Sequence, residues 1–277
     1  MNRIAEFIKN NPDHPLVLEL KQIQKDDQTS ALFWLPKISK AGLPIPRTMI
    51  VPYEHKRFVE MMEGGRKYNT KQLFKDVERA CIKIGYPCFF RTDLASAKHD
   101  GEKAYLIKSK DDIQRIVYST VEDNELKFFA GSPWPQAFMV RQFLELDSRF
   151  KAFGGLPIAR EWRFFANSNK VICYHPYWPE KAITFGHHSH WPDEAKSSND
   201  VKKPSNWKSL LKDLHKEIDI VKLKVMAVKA AKVCDGTFSI DFAMDKNRKW
   251  WLIDMATAKS SWHWPDCKFV KKENTNE

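Results

Sequence analysis

Two aspartates, Asp241 and Asp254, interrupt apolar runs in GTFSIDFAMDKNRKWWLIDMATAKSSWHW, residues 236–264. Like charges desolvated together need a cation. Thr237 to Met244 and Lys249 to Met255 are rich in Phe, Ile, Trp and Leu, and Asp245-Lys246-Asn247-Arg248 between them has the composition of a turn, so the segment reads as a β-hairpin. If Met244 faces Lys249, position 241 pairs with 252 and 239 with 254, and the aspartates lie diagonally on one face, roughly 7–8 Å apart at Cα. A three-residue turn would shift the register and put them on opposite faces. Either aspartate alone could cap a strand end or pair with a lysine. Two on one face offer hard oxygen ligands that suit Mg²⁺, the ion that accompanies ATP, and nucleotide chemistry becomes the first hypothesis.

Other segments carry groups suited to phosphate. FFRTDLASAKHDG joins two strands and contains Arg91, Ser96, Lys98 and His99; small residues let a backbone approach phosphate, and Lys and Arg supply charge. On its own it is equally a surface hairpin with a lysine at its tip. AREWRFFA alternates Glu161 and Arg163 on one strand face with Trp162 and Phe164 on the other. Glu161 and Arg163 form a structural ion pair, or Arg163 braces a transferred phosphate. His175 in CYHPYWP reads first as a buried, hydrogen-bonded histidine, with a substrate contact or a base as alternatives. His187, His188 and His190 lack a fourth ligand at zinc spacing. No GxSxG, Walker lysine loop or GxGxxG is present.

The elements that position these groups follow from local pattern. AGLPIPRTMIV is a turn leading into a strand at Arg47 to Val51, and NTKQLFKDVERACIKIG has Phe74, Val77, Cys81 and Ile84 at helical spacing, stopped by Gly85 and Pro87. CFFRTD and KAYLIK are strands. Ser109 opens a helix with Asp112 three residues later. After the break AGSPWPQ, the stretches AFMVRQFLEL, RFKAFG, EWRFFANS and KVICYHPYW read as successive antiparallel strands, and Trp207 to Val233 as one or two helices.

At 277 residues with 43% hydrophobic and 13% aromatic residues, the chain is long and apolar enough for a sizeable core in one large domain or two to three lobes. It has no run near the ~20 apolar residues of a membrane span and no secretory-type N-terminus, so a cytoplasmic location is expected. Its five cysteines are widely spaced and never form CxxC, which favours reduced thiols. A formal charge of +11 biases the protein toward polyanions, whether nucleotide phosphate, nucleic acid or an acidic protein, or describes a lysine-rich soluble surface.

In this order the motifs resemble the ATP-grasp superfamily, and among its members the short ATP-grasp proteins of phages and bacteria. AGLPIPRTMIV is similar to the entry into the N-terminal lobe, GYPCFFRTDLASAKHDG to a strand and phosphate-covering loop, MVRQFLEL to the interlobe hinge, EWRFFA to an E-x-R strand, and SIDFAM with WLIDMATA to the closing metal hairpin. The resemblance runs from about residue 40 to 262. It implies an α+β fold in which two lobes grip ATP, with an antiparallel sheet in the C-terminal lobe. The expected division is an N-terminal segment over 1–52, a small lobe over 53–133 and a large lobe over 134–277.

The resemblance further implies adenine against the hinge around Met139 to Leu144, with Val140, Arg141 and Phe143 among the nucleotide contacts. Arg91, Ser96, Lys98, Glu161 and Arg163 are implied as further nucleotide contacts, Lys98 and Arg163 as catalytic charges, and Asp241 and Asp254 as magnesium ligands. Ala256 stands where the family usually has Asn, with Thr257 or Ser260 as substitutes, and Lys37 is a candidate for an earlier phosphate lysine. The implied activity is carboxylate activation by ATP for attack by an amine or other nucleophile, on a small-molecule or peptide acceptor. Nucleic-acid end processing and nucleotide-dependent interaction without catalysis are the alternatives.

Overall fold

The computed structural model describes residues 27–65, 67–95, 105–129, 132–152, 155–185, 203–216 and 218–263. The chain divides into two compact units, the first built mainly from residues 47–98 and 103–143 and the second mainly from 33–46 and 144–277.

The first unit contains a four-stranded antiparallel sheet in the order β1-β4-β2-β3, from β1 (Thr48–Pro52), β2 (Cys88–Thr92), β3 (Leu106–Ile107) and β4 (Ala137–Gln142). Helix α2 (His55–Met62), α3 (Thr70–Ile84) and α4 (Ile113–Phe129) supply Phe58, Val77, Cys81, Ile116 and Val121 to a core shared with Val51, Phe90, Phe138 and Val140. Asn69 caps α3 by accepting from the Gln72 amide at 3.1 Å, and Gly85 ends the helix at φ 93°, a conformation that favours glycine. Ser109 and Asp112 form the expected capping box ahead of α4.

The second unit carries β7 (Glu161–Ala166), β8 (Val171–Pro176), β9 (Phe238–Met244) and β10 (Trp250–Thr257) in a sheet ordered β10-β9-β7-β8. A separate ribbon pairs β5 (Ser148–Ala152) with β6 (Leu156–Ala159). Helix α1 (Ala31–Lys40) is assigned to this unit from Phe33 onward, and α5 (Glu180–Phe185), α6 (Trp207–Leu214) and α7 (Ile220–Cys234) follow in chain order. Phe164, Ile240, Phe242, Leu252 and Met255 form a buried sheet face, while Leu223, Ala227, Ala230 and Ala231 form the buried stripe of α7. Lys224 of α7 places its Nζ 4.6 Å from the Tyr174 ring centroid on that same face.

Two expectations are corrected. AFMVRQ does not begin a run of successive strands in the C-terminal lobe: as β4 it is the partner of both β1 and β2. RFKA pairs with Leu156–Ala159, a strand the sequence reading left out, and not with EWRFFA. No helix among the described residues is long and apolar enough to cross a membrane. Cys81, Cys88, Cys173 and Cys234 are unbridged, and Cys267 lies outside the described residues.

Candidate functional site

The hairpin register differs from the expectation, and the difference brings the aspartates closer. Asp245 closes on Lys249, its amide donating to the Lys249 carbonyl at 2.9 Å, so the turn is the three-residue alternative, 246–248; its Oδ1 accepts from the Asn247 and Lys249 amides, each at 2.9 Å, and its Oδ2 accepts from Trp251 Nε1 at 2.8 Å. Met244 therefore faces Trp250, not Lys249, and Leu252 faces Phe242. Continued unbroken, this register would set residue 253 opposite Asp241 and turn Asp254 to the other face. A bulge intervenes between Leu252 and Asp254, and Asp254 pairs directly with Asp241. One extra residue changes the parity of the strand, so the carboxylates share a face at a cross-strand spacing of about 5 Å instead of a diagonal one.

The pairing extends across all four strands. Asp254 faces Asp241, Asp241 faces Arg163 and Arg163 faces His175. Ala256, Ser239, Phe165 and Cys173 form the next row on that face, and Glu161 faces Ala243 in the row on the opposite flank of Arg163, on the same face. Strand parity thus gives one polar face behind an apolar one. Glu161 and Arg163 share a face, as the alternation in EWRFFA predicts.

Arg163 grips Asp241 with both arms of its fork. Nε donates to Oδ1 at 2.7 Å and Nη2 to Oδ2 at 2.8 Å, while Nη1 donates to the Trp262 carbonyl at 3.0 Å. Its Cζ lies 4.8 Å from the Tyr177 ring centroid. Burial opposes the arginine charge, but the charge and hydrogen bonds of Asp241 outweigh it and raise the guanidinium pKa above its ordinary value. Arg163 is therefore an ion-pair partner of Asp241, and the Glu161 charge acts on it in the same direction. Removing one member of such a buried pair costs about 3–5 kcal/mol, because the other is left uncompensated.

His175 is buried, with Nδ1 donating to the Pro176 carbonyl at 2.9 Å. Burial first, and then the neighbouring His263 and Arg163 charges, lower its pKa to about 4, against the bond to Pro176. Cys173 Sγ lies 2.7 Å from His263 Nε2, and the His263 ring sits 4.4 Å from Phe165. The segment after β10 therefore folds back on the polar face. Tyr177 and Trp262, from the stretches HPYWPE and SSWHWPDC that the sequence puts on the acceptor side, are neighbours of Arg163, a contact the sequence does not specify beyond the i, i+2, i+4 spacing of Cys173, His175 and Tyr177 in CYHPY.

In the first unit, Arg91 and Arg141 are both buried and share the sheet face that also carries Met139, since Arg91 pairs with Met139 and Phe89 with Arg141. Arg91 Nε donates to the Thr92 carbonyl at 2.9 Å. Val140 is turned the other way, into the helix-covered core, which removes its side chain from a site shared with Arg91 and Arg141. Phe143 is half-buried just beyond β4. Lys37 lies over the Phe33 ring at 3.5 Å, and Thr257 and Ser260 hydrogen-bond each other at 2.7 Å. Ser96, Lys98, His99, His187, His188 and His190 lie outside the described residues.

The donor set fits magnesium. Asp241 and Asp254 offer hard oxygen and no sulfur or nitrogen, as a small divalent cation requires. Among the described residues no group of three or more His, Cys, Asp and Glu is arranged for a metal, so a cation here needs water or phosphate oxygens as well.

No family model matches the chain, and no curated protein does. Among solved structures it is similar to Cdc123 from Schizosaccharomyces pombe, at 13% identity and a TM-score of 0.54 over 89% of this chain and 90% of that one. A C-terminally truncated Cdc123 from the same organism matches at 13% identity and a TM-score of 0.53, covering 86% and 85%. A RimK domain protein ATP-grasp from Sphaerobacter thermophilus matches at 12% identity and a TM-score of 0.43, covering 89% of this chain and 63% of that one. The chain thus spans less than two thirds of that protein. Its fold is the one seen in Cdc123, α+β with antiparallel sheets.

Proposed function

We propose that the chain is an ATP- and Mg²⁺-dependent ligase that activates a small-molecule or peptide carboxylate as an acylphosphate for attack by an amine or another nucleophile. The observation that carries this reading is the direct cross-strand pairing of Asp241 and Asp254 beside Arg163. When bound, magnesium supplies charge that draws nucleotide phosphate oxygens to the carboxylates. The chain's own contribution is to fix the two carboxylates on adjacent strands and to hold a guanidinium next to them, so that little reorganisation is needed when charge shifts. Within the first unit, Arg91 and Arg141 are the candidate phosphate ligands, and Ser96 and Lys98 belong to the proposed covering loop.

The test is calorimetric titration of ATP with and without Mg²⁺ against wild type and the double variant Asp241→Asn, Asp254→Asn. Magnesium-dependent binding is expected in the first and absent in the second. Unchanged binding in the variant rejects the metal assignment.

A second reading, a nucleotide-dependent interaction protein without catalysis, is favoured by Ala256. It shares the face of Asp254 but its methyl side chain has no oxygen to offer. Sustained ATP turnover with any acceptor would exclude it.

A further inference from the structure

We propose that Arg163 is an internal counter-ion that keeps the aspartate pair from holding a divalent cation by itself, so that metal binds only together with nucleotide. This rests on Asp241 and Asp254 being the metal carboxylates.

The guanidinium fork meets both oxygens of Asp241, at 2.7 and 2.8 Å, and so takes one in-plane lone pair on each, which leaves no side open for a cation to chelate both oxygens. This is not a frayed surface pair. Asp241 is 4% exposed, and Arg163 is held from its other sides by the Trp262 carbonyl and the Tyr177 ring. A cation approaching Asp254 therefore meets a neighbouring carboxylate whose charge is already offset. An ion pair serving stability alone gains nothing from a second carboxylate directly opposite, because like charges facing each other across strands are destabilising. The three-member row makes sense where the neutralising charge is exchangeable.

A polyphosphate is the chemistry that permits the exchange. It brings anionic oxygens that complete the shell of a metal, and those oxygens accept a guanidinium fork as well as a carboxylate does. Metal and nucleotide then each raise the affinity for the other by the same factor, as linkage requires.

The experiment uses Mn²⁺ as the probe, read by electron paramagnetic resonance, on the full chain without nucleotide. Wild type, Arg163→Lys and Arg163→Met are compared. Nucleotide-free Mn²⁺ affinity is expected to rise at least tenfold in Arg163→Met, with Arg163→Lys in between because it keeps the charge but loses the fork. Adding Asp254→Asn to Arg163→Met should abolish the gain. Mn²⁺ should also raise the melting temperature of Arg163→Met and leave that of wild type unchanged. If Arg163→Met does not fold, Arg163→Lys carries the comparison. Equal Mn²⁺ affinity in wild type and the folded variants overturns the inference. A non-hydrolysable ATP analogue separates the two levels: if wild type still binds it in a Mn²⁺-dependent manner, the proposed function stands although the counter-ion idea has failed, and if it does not, both fail.

Discussion

Asp254 and Ala256 are two residues apart on β10 and so project from one face, with Ser239 opposite Ala256. The methyl group at 256 therefore takes the place of an oxygen beside a proposed metal ligand. The Ser239 hydroxyl does not supply that oxygen freely, being 2.5 Å from the Ser261 hydroxyl and 3.4 Å from the Ala256 carbonyl. Ala256→Asn restores an amide oxygen at the position and should strengthen Mn²⁺-dependent nucleotide binding about tenfold, or ~1.4 kcal/mol. Titrating Mn²⁺ at fixed ATP analogue reads this directly. An unaltered affinity would mean that no cation is held on this side of β10.

At the level of elements, what the sequence shows is what local period dictates. The capped helix α3, the alternation of EWRFFA and the two halves of the final hairpin were all legible because residues two, three or four apart decide them. Register was not. It depends on Asp245 drawing in the Asn247 and Lys249 amides and on a bulge later in β10, and neither leaves a periodic trace. Strand partnership was hidden for a related reason: β4 pairs with β1 and β2, contacts made across long stretches of chain that apolar composition alone does not specify. The aspartate pair was found from its residue types, while its close geometry came from the bulge. Ile253 is the residue that falls between the paired positions, so deleting it should leave Leu252 opposite Phe242 and Asp254 opposite Asp241. The shortened protein is expected to fold, at a cost of no more than about 3 kcal/mol, and to keep magnesium-dependent ATP binding. Urea unfolding and calorimetry on the deletion variant check both points. Loss of binding in a folded deletion would show that the bulge places Asp254 in some way beyond parity.

Across the whole molecule, each unit carries a buried histidine that resists protonation. In the first unit His55 lies between the Tyr53 hydroxyl, 2.9 Å from Nδ1, and Glu125, 3.1 Å from Nε2, and burial lowers its pKa to about 4. In the second, His175 is also lowered to about 4, with burial as the main cause. An unfolded histidine titrates near 6.5. Between roughly pH 6.5 and 4 the unfolded chain thus takes up protons at these two histidines that the folded chain refuses, and their contribution to stability falls as the solution is acidified, while burial of Asp93 and Glu125, which raises their pKa values, acts the other way. Each histidine contributes up to about 3 kcal/mol over that window, and the loss levels off below the folded pKa. The net charge of +11 acts in the same direction, since added protons increase self-repulsion. Urea midpoints measured from pH 7.5 to 4.5 should decline, and His55→Asn and His175→Asn should each flatten part of the decline. The two variants separate the specific effect from the general one: net-charge repulsion survives both substitutions, whereas the buried-histidine contribution disappears one unit at a time. A pH profile unchanged by either variant would place the acid sensitivity on the surface charge alone.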